Sequence, residues 1–346
     1  MNYRVNNFDF LRFLFASFVI ITHSYPLSGN AENDFLYQIT NGQTLFSYIG
    51  VKGFFVISGY LIFQSLQRST GLLDYFWKRI LRLYPALIIV LLLTIILAPF
   101  VYQSDIPFFL NKSLLTYIPN NLTLYYTQYA VEGIFENNPY KSAINGSLWT
   151  ISYEFTMYLL LALLIFVRKN VVITKLILIG SFVLLLVCNL YFLEKIKNIN
   201  FLLNGAQLVD LGIFFIAGAL LESLNFKNLP RKKEFLILII LLVTASFIFH
   251  FFDYTKYITL PLLFILLGLN TLPYICDIGN KIGDLSYGIY IYGFPVQQTL
   301  MHYFNLNYIS LMIYSLLISC ILAYLSWHLV EKRALKLKKK IPLQGS

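Results

Sequence analysis

The chain has 346 residues, of which 58% are hydrophobic and only 12% are charged, and its mean hydropathy is +0.69. A soluble globular domain needs more polar surface than this composition offers, so the composition excludes that class and indicates a membrane protein with several spans. The net charge of +10 would suit nucleic-acid binding, but the positions of the charges argue against that function class.

Apolar runs long enough to cross a bilayer recur along the whole chain. They predict an all-α integral membrane protein with about ten transmembrane helices in a single bundle, forming one domain over residues 1–346. The first run is not a removable signal peptide, because it carries Asp9, Arg12 and His23 and no small-residue cleavage site follows it. The predicted helices are 8–26, 46–66, 83–103, 147–167, 171–193, 205–224, 234–252, 257–275, 283–304 and 306–330.

Lys and Arg residues are distributed unevenly between the two sides of these helices. If the N-terminus is cytoplasmic, most of the 26 fall on the cytoplasmic side. The outer side keeps only Lys112, Lys141, Lys195, Lys197 and Lys256. This bias orients a membrane protein, so we expect both termini in the cytoplasm and no nucleic-acid partner. The basic tail Lys336–Lys340 is expected to lie on anionic lipid.

The first predicted helix carries Arg12 towards its inner end and His23 towards its outer end. At about 100° and 1.5 Å per residue, the two share one helix face and lie about 16 Å apart. Charged groups inside a bilayer are costly, so this pair indicates a functional site in which an elongated ligand lies between the two residues. His23 is suited to removing a proton from a hydroxyl, although a capping or packing role explains it equally well.

Arg79 and Arg82 follow the second predicted helix on the cytoplasmic side. They are three positions apart, so on a helix they project to the same side. Guanidinium groups match phosphate oxygens, which predicts a site for a phosphorylated soluble donor. The alternative is that both arginines only meet lipid phosphates.

Glu154 lies seven residues after Ser147 in the fourth predicted helix, on the same face and about 10 Å deeper. A carboxylate at that depth must be paired, protonated or in a wet cavity. It is placed to orient His23, or to pair with Arg12 or Lys52. The alternative is a buried ion pair that only holds two helices together.

Other polar residues in or near the apolar runs give weaker signals. Asp210 lies within the sixth predicted helix, and Asp284 is expected simply to begin the ninth by accepting its free amide groups. Cys188, Cys276 and Cys320 stand far apart without metal-ligand spacing, so they are expected to pack and no metal site is predicted.

Five motifs in order resemble the acyltransferase family 3 proteins, and the resemblance runs essentially from end to end. Lys52 departs from the family pattern, because it stands where we expect an acid. The motifs are Asn7–Arg12 with His23-Ser24, Gly53–Ile62, Lys78–Pro85, Ser147–Glu154 and Leu285–Tyr290.

Members of that family are bacterial inner-membrane enzymes that move acyl groups, most often acetyl from acetyl-CoA, onto hydroxyls of surface or secreted sugars. The resemblance implies an acyl-CoA donor, a sugar or polysaccharide acceptor and no permanently bound cofactor. It also implies that Arg12 and His23 form the family's arginine-x10-histidine pair. Arg79 and Arg82 then meet the donor, and Glu154 is the acid of the fourth-helix motif.

These expectations combine into one mechanism. Coenzyme A docks against the inner arginines, its pantetheine arm runs past Arg12, and His23 acts as general base with help from Glu154. Transfer is either direct or through an acyl-histidine. The acceptor sugar is expected to meet Trp149, Ser147 and Asn145.

Two other functions remain open from the residues alone. One is a transporter or flippase for a lipid-linked saccharide, which needs a polar cavity but no base. The other is a scaffold in which the buried charges only join helices. Whether the protein forms a homo-oligomer is left open.

Overall fold

The computed structural model describes residues 6–199 and 202–339. Arg4 and Lys340, which belong to the predicted charge bias, lie outside the described residues. Within the described ranges, the regular structure is helical apart from isolated bridges, such as those between Tyr102 and Ile134 and between Ala130 and Ala143. The predicted all-α membrane fold is confirmed.

Most of the α-helices are joined by short connections. One long segment, which contains α5, lies between α4 and α6. In chain order, the α-helices are α1 (Phe8–Leu27), α2 (Phe35–Ile39), α3 (Phe46–Gln67), α4 (Leu72–Leu97), α5 (Lys112–Leu122), α6 (Trp149–Ala162), α7 (Val171–Ile196), α8 (Gly205–Ser223), α9 (Lys232–Ile248), α10 (Phe252–Leu269), α11 (Ile278–Ile282), α12 (Ser286–Phe304), α13 (Tyr308–Ser326) and α14 (Lys332–Lys336).

Eight helical stretches among the described residues are long and apolar enough to cross a membrane. The predicted count of about ten is therefore not confirmed. The two predicted spans without this character are α9, which has only 17 residues, and α12, whose buried face carries Tyr and Gln side chains. The eight are Phe8–Leu27, Phe46–Gln67, Leu72–Val101, Gly146–Phe166, Val171–Ile196, Gly205–Ser223, Phe252–Leu269 and Tyr308–Lys336.

The third predicted helix, 83–103, begins too late. In the structure α4 already begins at Leu72, so the basic stretch containing Arg79 and Arg82 is helical. The prediction placed this stretch in a loop because its charges break the apolar run. Both arginines nevertheless lie on the side of α4 that faces an internal cavity, where a charged group can be solvated.

The core of the bundle is built by α1, α3 and α8, with α3 in contact with both others. Glycines allow α3 and α8 to approach very closely. A Cβ atom at Gly59 would overlap the carbonyl oxygen of Phe215, and one at Gly218 would overlap that of Val56. Small residues at such crossings are typical of helix packing in membranes, where close van der Waals contact replaces the hydrophobic effect.

The segment between α4 and α6 is folded rather than extended. Val131, Ile134 and Phe135 are fully buried within it. The Asn138 side chain donates to the backbone and side-chain oxygens of Gln298 on α12, at 2.9 and 2.8 Å. The segment is thereby fixed to the end of the bundle where α12 finishes, which we call the outer end. The inner end is the one where α1 and α12 begin.

Candidate active site

An inner cavity opens between the inner ends of α1, α3, α4 and α12. It holds about 1180 Å³ of empty space, part of it open to solvent. Cationic side chains outnumber acidic ones in its wall, so the cavity attracts anions. The charged lining residues are Asp9, Arg12, Lys78, Arg79, Arg82, Glu154, Asp284 and Lys338.

Asp284 joins two of these arginines. One carboxylate oxygen, Oδ2, accepts a hydrogen bond from Arg12 and another from Arg82, each at 2.5 Å. The other oxygen, Oδ1, accepts from the Ser286 hydroxyl at 2.5 Å and from its backbone amide at 3.3 Å. Burial alone would raise the pKa of Asp284, but the two guanidinium groups outweigh it and hold that pKa below its ordinary value.

Arg79 is held differently from Arg82. Its guanidinium lies 5.7 Å from the ring centres of both Tyr75 and Tyr158, and it donates to the Ser65 hydroxyl at 3.0 Å. Its buried Nε has no hydrogen-bond partner. Because no carboxylate pairs with Arg79 among the described residues, its charge is available to an anion that enters the cavity.

A middle cavity of about 450 Å³ lies directly beyond the inner one. Arg12, Ser58, Glu154 and Tyr287 line both cavities. Glu154 accepts hydrogen bonds from Ser58, at 3.0 Å, and from Tyr158. Its carboxylate therefore lies at the boundary between the two spaces.

Two of the arrangements expected for Glu154 are not found. Arg12 pairs with Asp284 and Lys52 pairs with Asp210, so neither cation pairs with Glu154 in the described structure. No hydrogen bond or ion pair joins Glu154 to His23 among residues 6–199 and 202–339. Glu154 instead lines the middle cavity, whose wall combines apolar side chains with Arg12, Ser58 and Thr150.

His23 lies on an outer vestibule, which is a cavity of about 1250 Å³ open towards the outer end. The edge of its ring packs against Phe294, with ring centres 5.5 Å apart. Trp149 lines the same vestibule, and so does Glu32 of the loop after α1. Burial and the neighbouring charge of Asp34 raise the pKa of Glu32.

The three cavities follow one another across the bundle. Val51 and Tyr290 line both the middle cavity and the outer vestibule, just as Arg12 and Glu154 line both the inner and the middle cavities. Arg12 thus lines the middle cavity, which borders the vestibule of His23, whereas Arg79 and Arg82 line only the inner cavity. An elongated ligand lying along this series would meet the arginines at one end and His23 at the other.

Two of the three residues predicted to meet the acceptor have other contacts. Asn145 is fully buried, and its amide donates to the Ile291 carbonyl at 2.9 Å while its oxygen accepts from the Ser147 amide at 3.1 Å. Ser147 is also buried. Both residues fix the start of α6 against α12, whereas Trp149 is the one of the three that lines the vestibule.

Two acidic residues, Asp210 and Asp284, form ion pairs that were not predicted from the sequence. Asp284 was expected to start a helix and Asp210 was treated as a weak signal, but they pair with Arg12 and Lys52 respectively. The available signal was the cost of burying a charge. Asp210 and Asp284 both lie inside predicted helices, 205–224 and 283–304, where a carboxylate needs a cation, a proton or water.

Comparisons with known proteins agree with this picture of a membrane enzyme. The chain is 28% identical to an O-acetyl transferase of Shigella phage Sf6 over 351 residues, covering 96% of this chain and 97% of the relative. It is 27% identical to nodulation protein 10 of Rhizobium leguminosarum bv. viciae over 384 residues, covering 97% and 95%. No solved structure matches the chain.

The family model for an acyltransferase domain, Acyl_transf_3, matches residues 5–328. That range includes the residues that line the three cavities, except Leu335 and Lys338 of the C-terminal tail. The match confirms the resemblance seen in the motifs. The chain belongs to the acyltransferase family 3, as a member built from membrane-spanning helices.

Proposed function

We propose that this protein is an integral-membrane O-acyltransferase of the bacterial inner membrane. It takes an acyl group, acetyl in the first instance, from cytoplasmic acyl-CoA and transfers it to a hydroxyl of a surface or secreted sugar. The observation that carries the proposal is the series of three cavities, because Arg12, Glu154, Val51 and Tyr290 are shared between neighbours. The name of the Sf6 relative supports acetyl transfer to oxygen.

The inner cavity is proposed to hold the phosphates of coenzyme A. Arg79 has no acidic partner in the described structure, and Arg82 shares Asp284 with Arg12, so the cluster retains positive charge. Guanidinium groups bind phosphate oxygens through paired, charge-assisted hydrogen bonds. The pantetheine arm then passes Arg12 and Glu154 through the middle cavity and brings the thioester towards the vestibule.

The chemistry takes place where the vestibule meets the middle cavity. The imidazole of His23 accepts the proton of the acceptor hydroxyl as its oxygen attacks the thioester carbonyl. The tetrahedral intermediate collapses with cleavage of the carbon–sulfur bond, and the coenzyme A thiolate takes the proton from His23. In this proposal Arg12 holds the donor on its way through the middle cavity, and Glu154 orients the polar groups there.

The donor side of the proposal is tested with the double variant Arg79→Ala/Arg82→Ala. Asp284 keeps Arg12 as its ion-pair partner in this variant, so this carboxylate is not left alone and the protein should stay folded. Loss of two phosphate contacts should raise the KM for acetyl-CoA at least about tenfold, while the acceptor KM changes little. Purified enzyme in lipid vesicles gives both constants.

The matched control is Arg68→Ala. Arg68 is an exposed arginine at the inner end of α3 that bonds to Gln64 at 2.7 Å and does not line the inner cavity. Its loss should leave both constants unchanged. An unaltered donor KM in the double variant would refute docking at these arginines.

A further inference from the structure

A buried ion pair lies at the wall of the outer vestibule. Lys52 on α3 is only 6% exposed, and its ammonium group bonds to the Asp210 carboxylate on α8. The ammonium also lies 4.9 Å from the ring centre of Tyr48 and 5.7 Å from that of Phe214. Both members of the pair line the vestibule that contains His23.

The need to join α3 to α8 does not explain this ion pair well. Taking two charges out of water costs more than their attraction commonly returns, so apolar residues of similar size often hold helices equally well. The two helices already meet through glycine crossings, where Gly59 approaches Phe215 and Gly218 approaches Val56. The position of the pair on a wet cavity therefore points to a ligand.

The groups around the pair have the chemistry of a carbohydrate site. The Tyr257 hydroxyl lies 3.2 Å from Asp210 Oδ1 and 3.0 Å from the amide oxygen of Asn189. Gln207 and Trp149 line the same vestibule. Carboxylate and amide oxygens accept bonds from sugar hydroxyls, an ammonium donates to them, and an indole ring covers the apolar face of a sugar.

The charges also limit the class of ligand. Lys52 and Asp210 neutralise each other, and Lys256, the other lysine on the vestibule wall, pairs with Asp253. A charged sugar would therefore have to draw one of these groups away from its partner. A neutral sugar makes hydrogen bonds to both without this cost.

We propose that the Lys52–Asp210 pair, with Trp149 and Asn189, binds a neutral polyhydroxylated sugar unit of the acceptor and so presents one of its hydroxyls to His23. The inference rests on the proposed acyl transfer and extends it by naming the acceptor site and its class. Asp210 and Asn189 accept bonds from neighbouring hydroxyls, and Lys52 donates to a hydroxyl or ring oxygen. These residues bind and position the acceptor without taking part in proton transfer.

The first test is the double variant Lys52→Met/Asp210→Asn, which removes both charges and leaves neither buried alone. The acceptors are oligosaccharides released from the surface polysaccharide of cells deleted for this gene, separated into neutral and anionic fractions. Acyl transfer from labelled acetyl-CoA is followed with the enzyme in vesicles. We expect the KM for the neutral fraction to rise roughly tenfold to hundredfold, with the acetyl-CoA KM and the melting temperature little changed.

The matched control is Lys197→Met, which breaks the exposed Lys197–Glu194 pair away from the vestibule and should change neither constant. A second variant exchanges the charges as Lys52→Asp/Asp210→Lys. A structural pair would be restored by the exchange, but a sugar site would not, because donor and acceptor positions are then reversed. We expect the acceptor KM to stay raised.

Three results would overturn the inference: an unchanged acceptor KM in the double variant, a normal KM in the exchanged variant, or preference of the unmodified enzyme for the anionic fraction. Failure of the proposed function looks different. In that case the unmodified enzyme transfers no label from acetyl-CoA to either fraction.

Discussion

Asp284 shows how a single residue sets the electrostatics of the inner cavity. One of its oxygens bonds to both Arg12 and Arg82, although these arginines lie on different helices. Without this acid, two guanidinium groups would face each other in a partly buried space. The carboxylate therefore fixes the positions of both cations while leaving the three groups together with a net positive charge.

Replacing Asp284 with Asn should destabilise the protein strongly. Removing one partner of a buried charge cluster typically costs about 3–5 kcal/mol, because the remaining charges lose their compensation. Thermal unfolding in detergent measures the effect. Asp253→Asn is the matched control, since Asp253 pairs with Lys256 but is 70% exposed, and the loss there should be about 0–1 kcal/mol. Equal shifts for the two variants would contradict this account of Asp284.

The same cluster predicts a pH dependence of stability. Arg12 and Arg82 hold the pKa of Asp284 below its ordinary value, so the folded state favours the ionised acid. The stabilisation is complete above the unfolded-state pKa, about 3.9, and is lost as the pH falls towards the lower folded-state value. The difference in melting temperature between the unmodified protein and Asp284→Asn should stay constant near neutral pH and shrink only below about pH 4. Shrinkage between pH 6 and 8 would argue against it.

His23 is the residue on which the proposed chemistry depends. His23→Ala should lower kcat by about 10²–10⁴-fold, the usual worth of a general base, with little change in melting temperature or donor KM. His302→Ala is a suitable control, because His302 lies near the outer end of α12 and packs against Phe135 and Tyr303 rather than lining the vestibule. Full activity of His23→Ala in the transfer assay would remove His23 from the mechanism.

At the scale of helices, the site depends on how closely α3 and α8 can pack. α3 carries Lys52, which lines the vestibule, and Ser58, which lines the inner and middle cavities. The position of α3 therefore sets the distances between the three cavities. Gly59 and Gly218 remove the side chains that would otherwise keep the two helices apart. The crossing therefore belongs to the geometry of the site as well as to the stability of the bundle.

Gly59→Ala should separate α3 from α8 and lower both stability and activity. The added methyl group would overlap a backbone oxygen of α8, which cannot move aside as a flexible side chain can. We expect a destabilisation of about 1–3 kcal/mol, typical of overpacking. Gly180→Ala on α7 is the control, because nothing lies within 4 Å of the added methyl group. Similar melting temperatures for both variants would show that the crossing is not tight.

At the scale of the whole molecule, local sequence patterns predicted the helical bundle and the positions of the polar residues on α1. Helical spacing alone predicted that Arg12 and His23 lie far apart along α1. In the structure Arg12 lines the inner cavity and His23 lines the outer vestibule. The pairing of Arg12 with Asp284 and of Lys52 with Asp210 could not be predicted, because it depends on which helices become neighbours. The early start of α4 was missed because charged residues normally end an apolar run. Here the charged side chains face a polar cavity, so the helix can include them.

The central claim is that donor and acceptor reach one site from opposite sides of the membrane. Sealed vesicles containing the enzyme in one orientation test it, with labelled acetyl-CoA supplied only at the inner end and the oligosaccharide only at the outer end. The account predicts labelled sugar on the outer side, no passage of intact acetyl-CoA, and loss of labelling in His23→Ala. Labelling that occurs only when both substrates are on the same side would contradict it.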